Sequence, residues 1–135
     1  MIGSETMNDE SFTDKVLDHF ISPRNCGTML DADGEGSFGD AACGDFLTIQ
    51  IKVKNNLIAD IKFLVFGCPA AVASSSMTTC LAKGKTIEEA LLITDQDIAD
   101  ALDGLPEHKM HCSLLGAGAL KNAIENYISK GKERE

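Results

Sequence analysis

The chain has 135 residues, with 12 Lys and Arg against 21 Asp and Glu, for a formal net charge of −9. Binding to nucleic acid needs basic residues in number, so it is set aside, and no run approaches the ~20 apolar residues of a membrane-spanning helix. A composition 44% hydrophobic and 24% charged, with no Trp, fits one globular domain over 1–135 with an aliphatic core.

Residues 1–10 are polar and acidic and are expected to be disordered. They lack the apolar stretch of a secretory signal and the basic character of a transit peptide, so a cytoplasmic location is expected. Asp14 to Ser22 reads as a short helix with Val16, Leu17 and Phe20 on one face, stopped by Pro23. Gly34 to Ala42 is Gly-rich and reads as extended. Phe46 to Val53 alternates, with Leu47, Ile49, Ile51 and Val53 on one side and Thr48, Gln50 and Lys52 on the other, as in a half-buried strand. Asn55-Asn56 makes a turn, and Leu57 to Phe66 returns with Ile61, Phe63 and Val65 inward.

Beyond Cys68 the period changes. Pro69 suits the first position of a helix that runs through Leu81 and ends near Gly84. Thr86 and Glu89 form a capping box for a short helix, and Thr94 caps another that stops at Gly104. A last helix, Ser113 to Ser129, is expected to bury Ala117, Leu120, Ile124, Tyr127 and Ile128. The order gives an α+β domain, a small three-stranded antiparallel sheet with helices packed on one face.

Five Cys, an odd number without a secretory signal, do not read as a disulfide framework. Cys43 falls in a turn between strands, Cys68 where a strand meets a helix, and Cys112 at the start of the last helix. A thiolate at a helix N-terminus is stabilised by the helix dipole. Cys80, inside a helix, reads as core, and Cys26 as a packed small residue. Three thiolates with a fourth ligand from Asp45 or His111 would suit a soft metal or an iron–sulfur cluster. A stable cluster is normally held by four Cys or by two Cys and two His, so a carboxylate or a lone His points to a cluster meant to leave. From the residues alone this reading and plain burial of small thiols stand level. His19 reads as a surface or packing residue, His108 as exposed on the loop, Lys109 as either an exposed loop Lys or a counter-charge to the site, and Ser74, Ser75 and Ser76 as capping or packing groups.

The sequence resembles the IscU/NifU-type iron–sulfur cluster assembly scaffolds. The resemblance rests on Asp18-His19-Phe20-Ile21-Ser22-Pro23-Arg24-Asn25-Cys26-Gly27, Ala42-Cys43-Gly44-Asp45, Phe66-Gly67-Cys68 with Ala73-Ser74-Ser75-Ser76, Lys83-Gly84-Lys85-Thr86, and His111-Cys112-Ser113. It implies a NifU/SufE-like fold and a non-enzymatic scaffold on which a 2Fe–2S cluster is assembled from iron and sulfur, then passed to apo iron–sulfur proteins. It further implies Cys43, Asp45, Cys68, His111 and Cys112 as the cluster- and metal-binding set, with Cys112 as sulfur acceptor. The implied partners are a cysteine desulfurase of the IscS/NifS type and donors of iron and electrons. Zinc can take the same ligands when iron is absent, and a homo-oligomer is compatible with the resemblance.

Leu105-Pro106-Glu107-His108-Lys109 departs from the Leu-Pro-Pro-Val-Lys by which an Hsp70-type chaperone recognises such scaffolds, which puts that partner in doubt. Pro69-Ala70-Ala71 replaces the commoner Gly-Ser-Ala. The alternative function is a zinc-dependent SufU-type sulfur-acceptor protein. That branch carries an insertion before the last Cys and lacks the neighbouring His; this chain has no such insertion and has His111. A thiol enzyme using Cys112 and His111 ranks last, because neighbours at one helix start are not expected to point at each other.

Overall fold

The structure is a computed structural model that describes residues 12–40, 45–106 and 109–134. Three strands, β1 (Gly34–Asp40), β2 (Asp45–Lys54) and β3 (Leu57–Phe66), lie side by side in chain order and pair antiparallel throughout. The alternation read from the sequence sorts their faces. Leu47, Ile49, Ile51, Ile61 and Phe63 are buried on one side, while Leu64 and Phe66 are exposed on the other. Asn55 and Asn56 have φ of 55° and 65°, the left-handed pair that a two-residue type I′ hairpin turn requires.

Five helices follow or precede the sheet: α1 (Asp14–Ile21), α2 (Pro69–Ala82), α3 (Ile87–Leu91), α4 (Asp95–Ala101) and α5 (His111–Arg134). Their starts are specified locally. Thr13 caps α1 by accepting from the Val16 N–H, and full capping boxes open α3 (Thr86 with Glu89) and α4 (Thr94 with Asp97). Helices α2 and α5 cover the buried face of the sheet, which is the α+β arrangement expected.

Helix α5 lies directly on β1. A β-carbon at Gly36 would run into the backbone of Ala119, Asn122 and Ala123, so the Gly-rich segment is a close-approach surface rather than loop chemistry. The same approach corrects the expected face of α5. Its buried residues are Cys112, Ser113, Leu115, Gly116, Ala119, Leu120, Ala123 and Ile124, whereas Ala117, Tyr127 and Ile128 are only half-buried. Small residues, not large ones, occupy the tightest contact. The helix also begins at His111, two residues before the expected Ser113.

Each edge of the sheet is covered in part. On β1, the Glu35 N–H donates to Asn126 Oδ1 at 3.0 Å and Asn122 Nδ2 donates to the Ser37 carbonyl at 2.8 Å. On β3, the segment around Cys26 pairs in parallel with Phe63, through Gly27 N–H to Phe63 O and Phe63 N–H to Asn25 O.

Helix α2 is built from small polar residues that are nevertheless buried. Ser75, Thr78 and Thr79 each donate to a carbonyl one turn back, at 2.7 Å in all three cases, so their burial leaves no hydroxyl unpaired. His19 is a packing residue, as one of its two readings had it: it is buried, with Nδ1 2.8 Å from Ser76 Oγ.

The close approach at Gly36 makes a direct prediction. Gly36→Ala should destabilise the fold by about 2–3 kcal/mol, the upper end for overpacking, because the obstructing atoms are backbone and cannot turn aside. Urea unfolding followed by circular dichroism measures it; a loss under about 0.5 kcal/mol would contradict this account of β1.

Candidate metal centre

Asp45 is the first residue of β2, two before Leu47, so alternation sets its side chain on the helix-covered face with Leu47, Ile49 and Ile51. The register pairs Phe46 with Phe66, and the next position out sets Gly67 opposite Asp45. Cys68 is the N-cap residue of α2, with Pro69 following at the first helical position. Cys112 is the second residue of α5 and is fully buried. Ser74 Oγ, in α2, donates to the Cys112 carbonyl at 3.0 Å and so ties the start of α5 to α2.

These four placements converge. Cys68 Sγ and Cys112 Sγ are 3.7 Å apart. His111 Nε2 is 3.6 Å from Cys112 Sγ and 3.6 Å from Asp45 Oδ2. Two thiolates on one tetrahedral ion, with metal–sulfur bonds of ~2.3 Å, stand about 3.8 Å apart. The sulfur pair therefore already has the spacing of two ligands sharing a metal. The contacts run as an open arc from Asp45 through His111 and Cys112 to Cys68. Among the described residues no three such side chains enclose a common metal position. Cys43, expected as the third thiolate, lies outside the described residues.

The two sulfurs differ electrostatically. Cys68 is held as a thiolate, its pKa lowered to about 5, first by the hydrogen bond from Cys112 and then, against the cost of burial, by the amides of Ala70 and Ala71 and the charge of Lys109. Neither amide makes a full capping hydrogen bond, so the Cys112 proton is the main support. The Cys112 thiol is pushed up, by its role as donor to Cys68, by burial, and by the negative charges of Cys68 and Asp45. The metal-free pair thus shares one proton. Because the folded pKa of Cys68 is depressed, its contribution to stability is lost as pH falls through about 5 and grows as pH rises toward the ordinary thiol range. The raised Cys112 acts oppositely: its contribution is complete below that range and declines above it.

Several sequence expectations need correction. Cys80 and Cys26 are exposed, not packed. Helix α2 is covered by α1, β3 and α5 and leaves one strip open, on which Cys80 falls; its small residues all round give no amphipathic signal of where that strip lies. Cys26 is held through the backbone of its neighbours, which leaves its thiol outside. His111 and Cys112 do approach each other, against expectation. The charge of Lys109 favours the Cys68 thiolate, on the side of the counter-charge reading. Glu107 and His108, the two departures in the chaperone-motif region, lie outside the described residues. The sequence reading missed Ser74 as the tie between α2 and α5; nothing in a run of three serines marks which one reaches across.

Residues 11–134 match the model of the NifU-like N-terminal domain. The chain belongs to that family. It is 60% identical over 119 residues to the iron–sulfur cluster assembly scaffold protein IscU 1 of Archaeoglobus fulgidus, covering 88% of this chain and 78% of the relative. It is 48% identical over 121 residues to the scaffold protein IscU of Aquifex aeolicus, covering 88% of this chain and 77% of that one. The fold of this NifU-like domain resembles the crystal structure of a NifU-like N-terminal protein from Brucella abortus, with a TM-score of 0.70 at 19% identity over 92% of this chain and 99% of the other. No helix among the described residues is long and apolar enough to cross a membrane.

In metal-free protein, iodoacetamide at pH 6.5 should modify Cys68 ahead of Cys26, Cys80 and Cys112, with the Cys68 rate falling only as pH drops through about 5. Cys112→Ala should move that midpoint upward by removing the proton donor. Peptide mass mapping follows each thiol, and an unmoved midpoint would show that Cys112 does not support the thiolate.

Proposed function

We propose that this chain is a single-domain scaffold on which an iron–sulfur cluster is assembled and from which it is handed to apo-proteins. The observation that carries this reading is the 3.7 Å separation of Cys68 and Cys112 with His111 and Asp45 alongside. The relatives named as scaffolds, at up to 60% identity, support it. The cluster is cargo, not a resident cofactor.

Cys68 and Cys112, with Cys43, supply the soft thiolates, and Asp45 or His111 supplies the fourth ligand. Asp45 Oδ2 and His111 Nε2 are neighbours, so one can replace the other with little rearrangement. A carboxylate is a hard ligand and holds an iron–sulfide core less firmly than a thiolate, which favours release. We take the cluster to be 2Fe–2S. Zinc suits the same side chains when iron is absent.

Sulfur delivered as a persulfide arrives at the level of elemental sulfur, and each atom needs two electrons to become sulfide. A cysteine desulfurase and an electron donor are therefore the partners the chemistry demands, with the apo-protein as recipient. Cys112 is the acceptor the resemblance implies, and it is buried in this conformation. Acceptance requires its sulfur to turn outward and lose its proton. A cytoplasmic setting, where thiols stay reduced, suits the free cysteines.

Anaerobic reconstitution with iron and sulfide, read by visible absorption and Mössbauer spectroscopy, tests the reading. Cys68→Ser and Cys112→Ser should each abolish the cluster, while Cys80→Ser should retain it in full. If only tightly bound zinc is found, and no cluster forms with a desulfurase present, the scaffold reading is wrong. Asp45→Ala should lengthen the cluster lifetime several-fold and slow transfer to an apo-ferredoxin; an unchanged lifetime would remove Asp45 from the release step.

A further inference from the structure

Gly67 stands between the end of β3 and the N-cap of α2, one residue before Cys68. Glycine is often required for its backbone freedom, but not here. Among the described residues the glycines with left-handed φ are Gly27, Gly39, Gly84 and Gly104, and Gly67 is not one of them. Any L-residue could take its backbone conformation, so what glycine supplies is space.

That space is occupied. A β-carbon at Gly67 would stand 2.8 Å from Asp45 Oδ1 and 2.6 Å from Ala71 Cβ, and the third nearest atom is Asp45 Cγ at 3.8 Å. Two of the three nearest atoms thus belong to one carboxylate. The antiparallel register explains why: position 67 continues β3 opposite position 45 on the face that the helices cover. We propose that Gly67 is a positioning residue for Asp45: its missing side chain is the seat in which the carboxylate rests, within 3.6 Å of His111. The inference builds on the reading of Asp45 as a ligand that favours release.

The two obstructing groups would respond differently to a methyl group at position 67. Ala71 is buried within α2 and cannot turn away. The Asp45 carboxylate is the far end of a rotatable side chain and lies partly exposed, at 29%. It therefore swings out and leaves its approach to His111. Gly67→Ala then acts on the cluster as a partial removal of Asp45, although residue 67 offers no ligand atom of its own.

The test removes the Ala71 clash first. In an Ala71→Gly background, Gly67→Ala leaves the carboxylate as the only close obstacle. The measurements are melting temperature, lifetime of the reconstituted cluster, and the ligand-field spectrum of cobalt(II) added alone. Gly67→Ala should match the melting temperature of its Ala71→Gly parent and lengthen the cluster lifetime several-fold. With Asp45→Ala already present, it should change the lifetime no further. Where Asp45→Ala lengthens the lifetime, an unchanged lifetime in Gly67→Ala with Asp45 present, or an equal lengthening with Asp45 absent, would overturn the proposal. The cobalt spectrum separates it from the reading beneath. If Asp45→Ala itself leaves the lifetime unchanged, the role of Asp45 in release fails. A cobalt spectrum altered alike by Asp45→Ala and Gly67→Ala still establishes Gly67 as its seat, and one altered by Asp45→Ala alone refutes it.

Discussion

The contact on which the rest depends is the backbone of α5 pressed onto β1. Two features make it possible: glycine at Gly34 and Gly36 on the strand, and Ala119 and Ala123 on the helix. With no side chain between them, the helix axis is fixed relative to the sheet at its middle. Its first turn then has one place to go, over the end of β2 and against the start of α2. Gly116 makes a second such contact, with Thr78 of α2. The position of Cys112 is thus decided by small residues one to three turns away, none of which touches the site.

What this geometry creates is an asymmetric pair of sulfurs. Cys68 sits at a helix start, partly exposed, with amides and Lys109 on its side; Cys112 sits in the core, beside the Asp45 charge. One sulfur favours losing a proton and the other favours keeping it. On the proposed reading of the site, an incoming cation would displace the shared proton, and its positive charge would relieve the repulsion that keeps Cys112 neutral. Affinity for metal is accordingly coupled to proton release. The metal-free site is preorganised in distance and unfinished in charge.

Much of this was legible in the sequence, for reasons that differ by element. The hairpin announced itself through strict alternation and the Asn55-Asn56 turn, which are local signals. Capping at Thr86 and Thr94 was legible for the same reason. The burial of α5 was misread because its tightest face carries Ala and Gly, where periodicity of large apolar residues has nothing to count. Cys80 was misread because α2 is small and apolar or hydroxylated on every side. At the site, Cys68, Cys112, Asp45 and His111 stood out by residue type and position at element ends. Gly67 and Ser74 carry no chemical label, and their parts are visible only once β3, α2 and α5 are set against each other.

The covered stretches of sheet edge bear on how the domain can meet a second chain. Asn126 takes the Glu35 N–H and Asn122 the Ser37 carbonyl of β1, and the strand-like segment at Cys26 takes the N–H and C=O of Phe63 on β3. At those positions the ladder is already taken, so a strand from a second chain cannot add there.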